Sequence, residues 1–169
     1  LLDANPAVSQ PETAKPVLNL KGNIEFENAT FGYLPEKPAL CDINLSIKDG
    51  ERIGIIGPPG SGKTSLVQLI PRLYNVTSGN VRIDGVDVSK LDLSLLRKSI
   101  AFMSQESFLF SGTIRENILM GQQIPDKTLE LILETCSLTE TIEQMPEGLE
   151  TIVGERGITL SGGQKQRIA

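Results

Sequence analysis

Histidine is absent from this 169-residue sequence, so any step that needs an imidazole must draw it from elsewhere. Also missing is any apolar run approaching the ~18–20 residues that span a bilayer. A membrane role would have to come through a partner or through sequence outside these residues. There is no basic block, and the formal net charge is −5, which leaves no footprint for nucleic acid. Cysteine is scarce: Cys41 and Cys136 lie far apart without metal-ligand spacing, and they read as two reduced cytosolic thiols. What remains is ordinary for a soluble globular protein, with 39% hydrophobic and 22% charged residues. The length suffices for one domain with a sizeable core. Both ends read as cut. Residue 1 is Leu with no signal peptide after it, and Ala169 falls inside a helical stretch that begins near Ser161.

Residues 1–21 are rich in proline, alanine and polar groups, with Pro6, Pro11 and Pro16 at five-residue steps. They predict an extended linker, and residues 22–169 the folded domain. Ile24, Phe26, Ala29 and Phe31 give a near-alternating strand pattern, continued by Leu40, Ile43, Leu45 and Ile47 before the turn Lys48-Asp49-Gly50. Arg52–Ile56 and Ile100–Met103 predict short buried strands of a parallel sheet. Apolar positions 66, 67, 69, 70 and 73 predict a helix over Ser65–Leu73 whose last turn Pro71 loosens or ends. Thr77-Ser78-Gly79 and Asp84-Gly85 read as turns around a strand Asn80–Ile83. Helices are expected over Leu91–Lys98, Thr128–Cys136 and Leu138–Met145.

The most informative string is Gly57-Pro58-Pro59-Gly60-Ser61-Gly62-Lys63-Thr64, with Ser65 after it. It is a complete phosphate-binding loop between a predicted strand and a predicted helix. Gly57, Gly60 and Gly62 let the backbone curl so that N–H groups point at phosphate oxygens. The helix that follows offers its positive end to the same anion. Lys63 is placed to reach the β- and γ-phosphates of ATP, and the Thr64 hydroxyl to ligate Mg²⁺. A chance glycine-rich turn is the competing reading. It is disfavoured because at average glycine usage, about 7%, such a string is rare in a chain of this length.

A second string, Leu160-Ser161-Gly162-Gly163-Gln164, has the capping-box pattern of a helix start. Alone it would mean no more than that. A phosphate loop followed about a hundred residues later by this string resembles the ATP-binding cassette (ABC) family. The resemblance extends over nearly all of the chain after the linker. It implies an α/β fold: a P-loop NTPase (RecA-like) core with an antiparallel β subdomain and a helical subdomain, the C-terminal part of the core being missing. Phe31-Gly32-Tyr33 sits where the family places the aromatic that stacks on adenine, so Tyr33 is the candidate; a half-buried strand tyrosine is the alternative. Ser104-Gln105-Glu106 looks like the family's Gln loop, in which Gln105 would contact Mg²⁺ or the attacking water; a solvated loop amide is the alternative. Three stretches are similar to exporters: Phe110–Ile118, Thr151–Gly157 (with Ile152 where the family often has Glu), and the linker from Leu1-Leu2-Asp3. The last resembles the connection from a membrane domain.

The resemblance implies two such domains packed head to tail, a homodimer favoured, each ATP lying between one phosphate loop and the other's signature. Ser161, Gly162, Gly163 and Gln164 would then reach the nucleotide held by the partner's loop. A transmembrane domain of the same transporter, entered through loops around Gln105 and Glu155, would receive the work at the cytoplasmic face of the inner membrane. The family also needs an Asp that holds Mg²⁺, a Glu that activates water and a later His, and none of them is identified here. These 169 residues alone are therefore expected to bind nucleotide poorly and not to hydrolyse it, the intact protein being an ATPase. The missing strand belongs in the middle of the parallel sheet, so its neighbours would lack a partner. Two readings stay open: a soluble ABC ATPase of DNA repair or translation, and a regulatory nucleotide-binding module without turnover. A different phosphate-loop enzyme such as a kinase has no use for the Ser161 string.

Overall fold

The computed structural model describes residues 8–13, 19–34, 36–154 and 160–169. They form two compact units, one up to Phe102 and one from Met103 onward.

The first unit is built on a four-stranded antiparallel sheet in the order β2-β1-β3-β4. Its strands are β1 (Ile24–Phe31), β2 (Leu40–Ile47), β3 (Ser78–Ile83) and β4 (Val86–Asp87). β1 pairs with β2 through Phe26–Leu45 and Phe31–Leu40, and with β3 through Ile24–Ile83 and Phe26–Val81. The step from Phe26 to Ala29 breaks strict alternation because both ladders shift register there. Asn28 adopts a φ of 46° at the irregularity, and its N–H is taken by the Asn44 side chain at 2.9 Å. The inserted residue thus returns Ala29 and Phe31 to the buried face. Helix α1 (Lys63–Leu69) buries Ser65 and Leu69. Leu69, 1% exposed, anchors the helix and contributes about 2 kcal/mol of burial. The helix stops before Pro71, with Ile70 as its cap. A 3₁₀ turn at Val88–Lys90 leads to α2 (Leu93–Lys98), whose N-cap Asp92 accepts from the Leu95 N–H. Phe26, Phe31, Leu69, Val81, Leu91 and Leu96 lie in the common core.

Part of the predicted strand set is not formed. Residues 51–58 and 100–104 contain no strand, and neither segment pairs with another among the described residues. Ile53, Ile55 and Ile56 are left 43%, 40% and 98% exposed. Apolar β-branched sequence favours a strand, but a strand exists only with a ladder partner to take its N–H and C=O groups. The predicted turn at Ser78–Gly79 is also corrected: both residues lie in β3, where Gly79 faces the irregularity at Asn28.

The second unit is mainly helical. Its elements are β5 (Gly112–Thr113), α3 (Ile114–Leu119), α4 (Asp126–Thr135), α5 (Thr139–Glu143), a 3₁₀ turn at Gly148–Glu150, β6 (Ile152–Val153) and α6 (Gly162–Ile168). β5 and β6 form a two-stranded antiparallel ladder. Ile114, Leu129, Leu133, Leu138, Val153 and Ile168 make the core. Among the described residues no helix is long and apolar enough to cross a membrane.

Candidate functional site

The phosphate loop runs from Gly57 into the first turn of α1. Gly60 and Gly62 have φ of 79° and 86°, the left-handed region that glycine enters without strain. Gly62 is also the N-cap residue of α1, and a Cβ there would lie 2.6 Å from the Ala39 carbonyl oxygen and 2.8 Å from Leu40 Cδ2. At Gly57 a Cβ would sit 2.7 Å from Ser61 Oγ, a contact that a turn of the serine side chain can relieve. Pro58 and Pro59 carry no N–H, and the Ser61 N–H is turned to the Pro58 carbonyl at 3.2 Å. Donors for an anion therefore concentrate at the helix start. The N–H groups of a first helical turn have no acceptor within the helix, and here no side chain caps them and no acid lies in that turn. The Lys63 ammonium curls over the loop, donating to the carbonyls of Gly57 and Pro58 at 2.8 Å each. Thr64 is exposed and Ser65 buried. A cationic loop with left-handed glycines, no room for a side chain at Gly62 and uncapped helix amides fits a triphosphate.

Tyr33 belongs to the same site. Its hydroxyl lies 3.0 Å from Ser65 Oγ and donates to Gln68 Oε1 at 3.2 Å. Its ring meets Phe31 and Tyr74 nearly edge-on, with centroids 4.9 and 5.2 Å away. It remains 55% exposed, so the ring is neither buried in the sheet nor loose. The structure thus brings together Tyr33, residues 57–65 and Gln68, which the sequence pattern did not single out.

The other candidates lie in the second unit. Gln105 is exposed, in a bend without regular structure. Ser161 caps α6 with a full capping box: Ser161 Oγ accepts from the Gln164 N–H at 3.2 Å, and Gln164 Oε1 accepts from the Ser161 N–H at 2.9 Å. Leu160 and Ile168 are buried at either end, while Gly162 and Gly163 are exposed and carry no side chain over the helix start. Two exporter-like stretches prove to be one assembly. β5 and β6 join them, the Ile114 N–H bonds the Thr151 carbonyl at 3.1 Å, and Arg115 pairs with Glu150 at 2.6 Å. Gly154 packs so closely that a Cβ would come 2.9 Å from Ser111 Cα. Beside them Phe108 and Phe110 form an exposed edge-to-face pair, 71% and 55% accessible. Helix α3 was not read from the sequence, although Thr113 and Glu116 carry the spacing of the capping box that starts it. Glu155, Arg156 and Gly157, like Leu1-Leu2-Asp3, Pro6 and Pro16, lie outside the described residues.

Comparison with known proteins agrees with this geometry. Residues 40–169 match the family model for ABC transporters. An uncharacterized ABC transporter ATP-binding protein of Bacillus subtilis, YwjA, is 42% identical over 100% of this chain and 30% of its own length. The mitochondrial iron-sulfur clusters transporter ATM1 of Debaryomyces hansenii is 45% identical over 96% of this chain and 24% of its own. A solved bacterial Atm1-family ABC exporter with ATP bound matches 99% of this chain and 30% of that one, with a TM-score of 0.89 and 32% identity. The chain thus spans a third or less of the length of these relatives. Because residues 40–169 match the family's model, the chain belongs to the ABC transporter family of ATP-hydrolysing transport proteins, and it has the fold of their ATPase domain.

Proposed function

We propose that this chain is the ATP-binding part of an ABC exporter, in which ATP binding and hydrolysis power transport across a membrane. The observation that carries the proposal is the cradle at Lys63, with left-handed glycines, no room for a side chain at Gly62 and an uncapped helix start behind the lysine. The names of the relatives, among them a transporter of iron-sulfur clusters and an Atm1-family exporter, support export over the soluble and regulatory alternatives.

In this function Lys63 leaves the carbonyls of Gly57 and Pro58 and turns to the β- and γ-phosphates. The amides of residues 62–65 at the helix start take the remaining phosphate oxygens, and Tyr33 offers its exposed ring to the base. Thr64 would hold Mg²⁺, which supplies charge neutralisation on the triphosphate when bound; Gln105 is a candidate contact for that ion or for the attacking water. Exposed Thr64 presents a hard oxygen donor beside the loop, which fits that ion. Ser161, Gly162, Gly163 and Gln164 face the nucleotide of a second copy of the domain, arranged head to tail. The helix start at Ser161 then adds its amides and hydroxyl from the far side. A transmembrane domain of the same transporter docks near Gln105 and the joined segments at β5 and β6, where Phe108 and Phe110 offer apolar surface. Residues 1–21 are the connection to it, and the domain works at the cytoplasmic face of the membrane. Among the described residues Ile53, Ile55 and Ile56 have no ladder neighbour; this supports a core strand, with the Mg²⁺-binding Asp and catalytic Glu, supplied by sequence outside these residues.

The test is Lys63→Ala in the full-length transporter, followed by ATP affinity and phosphate release. Both are expected to fall by at least about tenfold. Unchanged values would remove the support for this function.

A further inference from the structure

We propose that Gln68 is a positioning residue for nucleotide recognition: it never touches the ligand but holds the Tyr33 ring in the orientation that receives the base. The proposal rests on the reading of Tyr33 as the base platform given above. Tyr33 follows the end of β1 and is 55% exposed, a setting in which an aromatic side chain ordinarily samples several rotamers. Two contacts restrain it. Phe31 and Tyr74 stand at 77° and 87° to its plane and limit its rotation, but they leave the far end of the side chain free to swing. The hydroxyl, on the long axis of the ring, ties that end down. It has one proton, which goes to Gln68 Oε1 at 3.2 Å, and this leaves its lone pairs to receive the Ser65 hydroxyl at 3.0 Å.

Ser65 and Gln68 are three residues apart on α1 and so share one face of the helix. That helix begins at Lys63. One rigid element therefore carries both the phosphate-binding lysine and the acceptor that sets the ring. The separation between the triphosphate cradle and the base platform is fixed by α1, not by the loop that bears Tyr33. Without the Gln68 acceptor, the phosphates would still bind and the base would meet a ring free to turn away.

The experiment compares two ligands in the full-length transporter with Mg²⁺ chelated: ATP, and inorganic tripolyphosphate, which has no base. Gln68→Leu is expected to weaken ATP about 3- to 10-fold, the worth of one hydrogen bond, and to leave tripolyphosphate within about twofold. Gln68→Glu keeps an acceptor; its added charge weakens both anions alike, so the ratio of ATP to tripolyphosphate affinity returns to within about twofold of the parent's. Tyr33→Phe gives the same ATP defect as Gln68→Leu, and the double variant is no worse than either single one. An equal loss for both ligands would overturn the proposal, since Gln68 would then be supporting the phosphate loop. So would no loss for ATP, or additive losses in the double variant. If the parent binds ATP no more tightly than tripolyphosphate, the platform role of Tyr33 itself is wrong, an outcome distinct from failure of Gln68 alone.

Discussion

The Asn117 side chain closes a ring with the backbone of Phe110: its Oδ1 accepts the Phe110 N–H at 2.7 Å and its Nδ2 donates to the Phe110 carbonyl at 3.0 Å. A third bond runs from Nδ2 to the Thr113 carbonyl at 2.9 Å, and Asn117 is 7% exposed. One amide from α3 therefore stands in for a strand neighbour along the loop that carries the exposed phenylalanines. Asn117→Leu strands three backbone groups at once. We expect a loss of about 3 kcal/mol, since each orphaned polar group costs ~1–3 kcal/mol and part of the loop can turn to water. The shift of the urea midpoint measures it.

Gly62→Ala tests the cradle from the backbone side. The substitution forces a left-handed alanine and drives its Cβ into the Ala39 carbonyl and Leu40. We expect about 2 kcal/mol of destabilisation and, in the full-length transporter, at least about a tenfold loss of ATP affinity because the first turn of α1 must shift. Calorimetric titration with ATP separates the two effects.

Asp84 governs an acid-sensitive joint. Burial acts to raise the pKa of its carboxyl, but bonds from the Asn23 side chain and from the N–H groups of Asn23, Lys21 and Gly22 outweigh that and hold it below the ordinary carboxylate range. A depressed folded value means the stabilisation is present above the unfolded value of about 3.9 and is lost as pH falls through the folded one. Asp84→Asn should cost about 1 kcal/mol at pH 7, the partial exposure of the site reducing the full charged-bond value. The gap between variant and parent should close below about pH 4. Urea midpoints across pH give the curve.

Ser161 caps α6, and the proposed function gives it a second duty, phosphate contact across a dimer. Ser161→Ala removes the cap and should cost about 1 kcal/mol, whereas Ser161→Asn keeps an N-cap acceptor and should stay within about 0.5 kcal/mol of the parent. Both should depress phosphate release in the full-length transporter, because the asparagine amide cannot reproduce the hydroxyl at the γ-phosphate. Turnover that follows stability in both variants would limit Ser161 to capping.

On the proposed function, with the Mg²⁺-binding Asp and catalytic Glu supplied from outside these residues, the isolated 169-residue chain should release no phosphate from Mg-ATP above the uncatalysed rate, since positioning of metal and water is most of phosphoryl-transfer catalysis. A colorimetric phosphate assay against the full-length transporter checks it, and turnover comparable to the latter would refute that placement of the acids.

Motifs whose residues act locally were legible in the sequence. The phosphate loop and the Ser161 cap depend on neighbours a few positions away and are found where the residues put them, whereas α1, expected to run to Leu73, already ends at Leu69 ahead of Pro71. The alternation of β1 and β2 was legible too, and the gap between Phe26 and Ala29 marks its irregularity. What depends on distant partners was not. Arg52–Ile56 has strand composition but no ladder neighbour among the described residues. Gly79 looks like a turn residue until Asn28 is set against it. Gln68 sits in a helical pattern as an unremarked polar residue, and its value comes from Tyr33, which lies 35 positions earlier in the chain. The six residues of α3 are too few for periodicity to show, although the Thr113–Glu116 spacing marks its start.

The cluster of Phe31, Tyr33 and Tyr74 carries one more consequence. The chain has two tyrosines and no tryptophan, and both phenols sit with their centroids 5.2 Å apart beside the cradle. Ultraviolet emission from this domain therefore arises almost wholly at the place where the base is expected to land. The domain carries its own optical reporter, and occupancy of that spot can be followed by tyrosine fluorescence with no label attached.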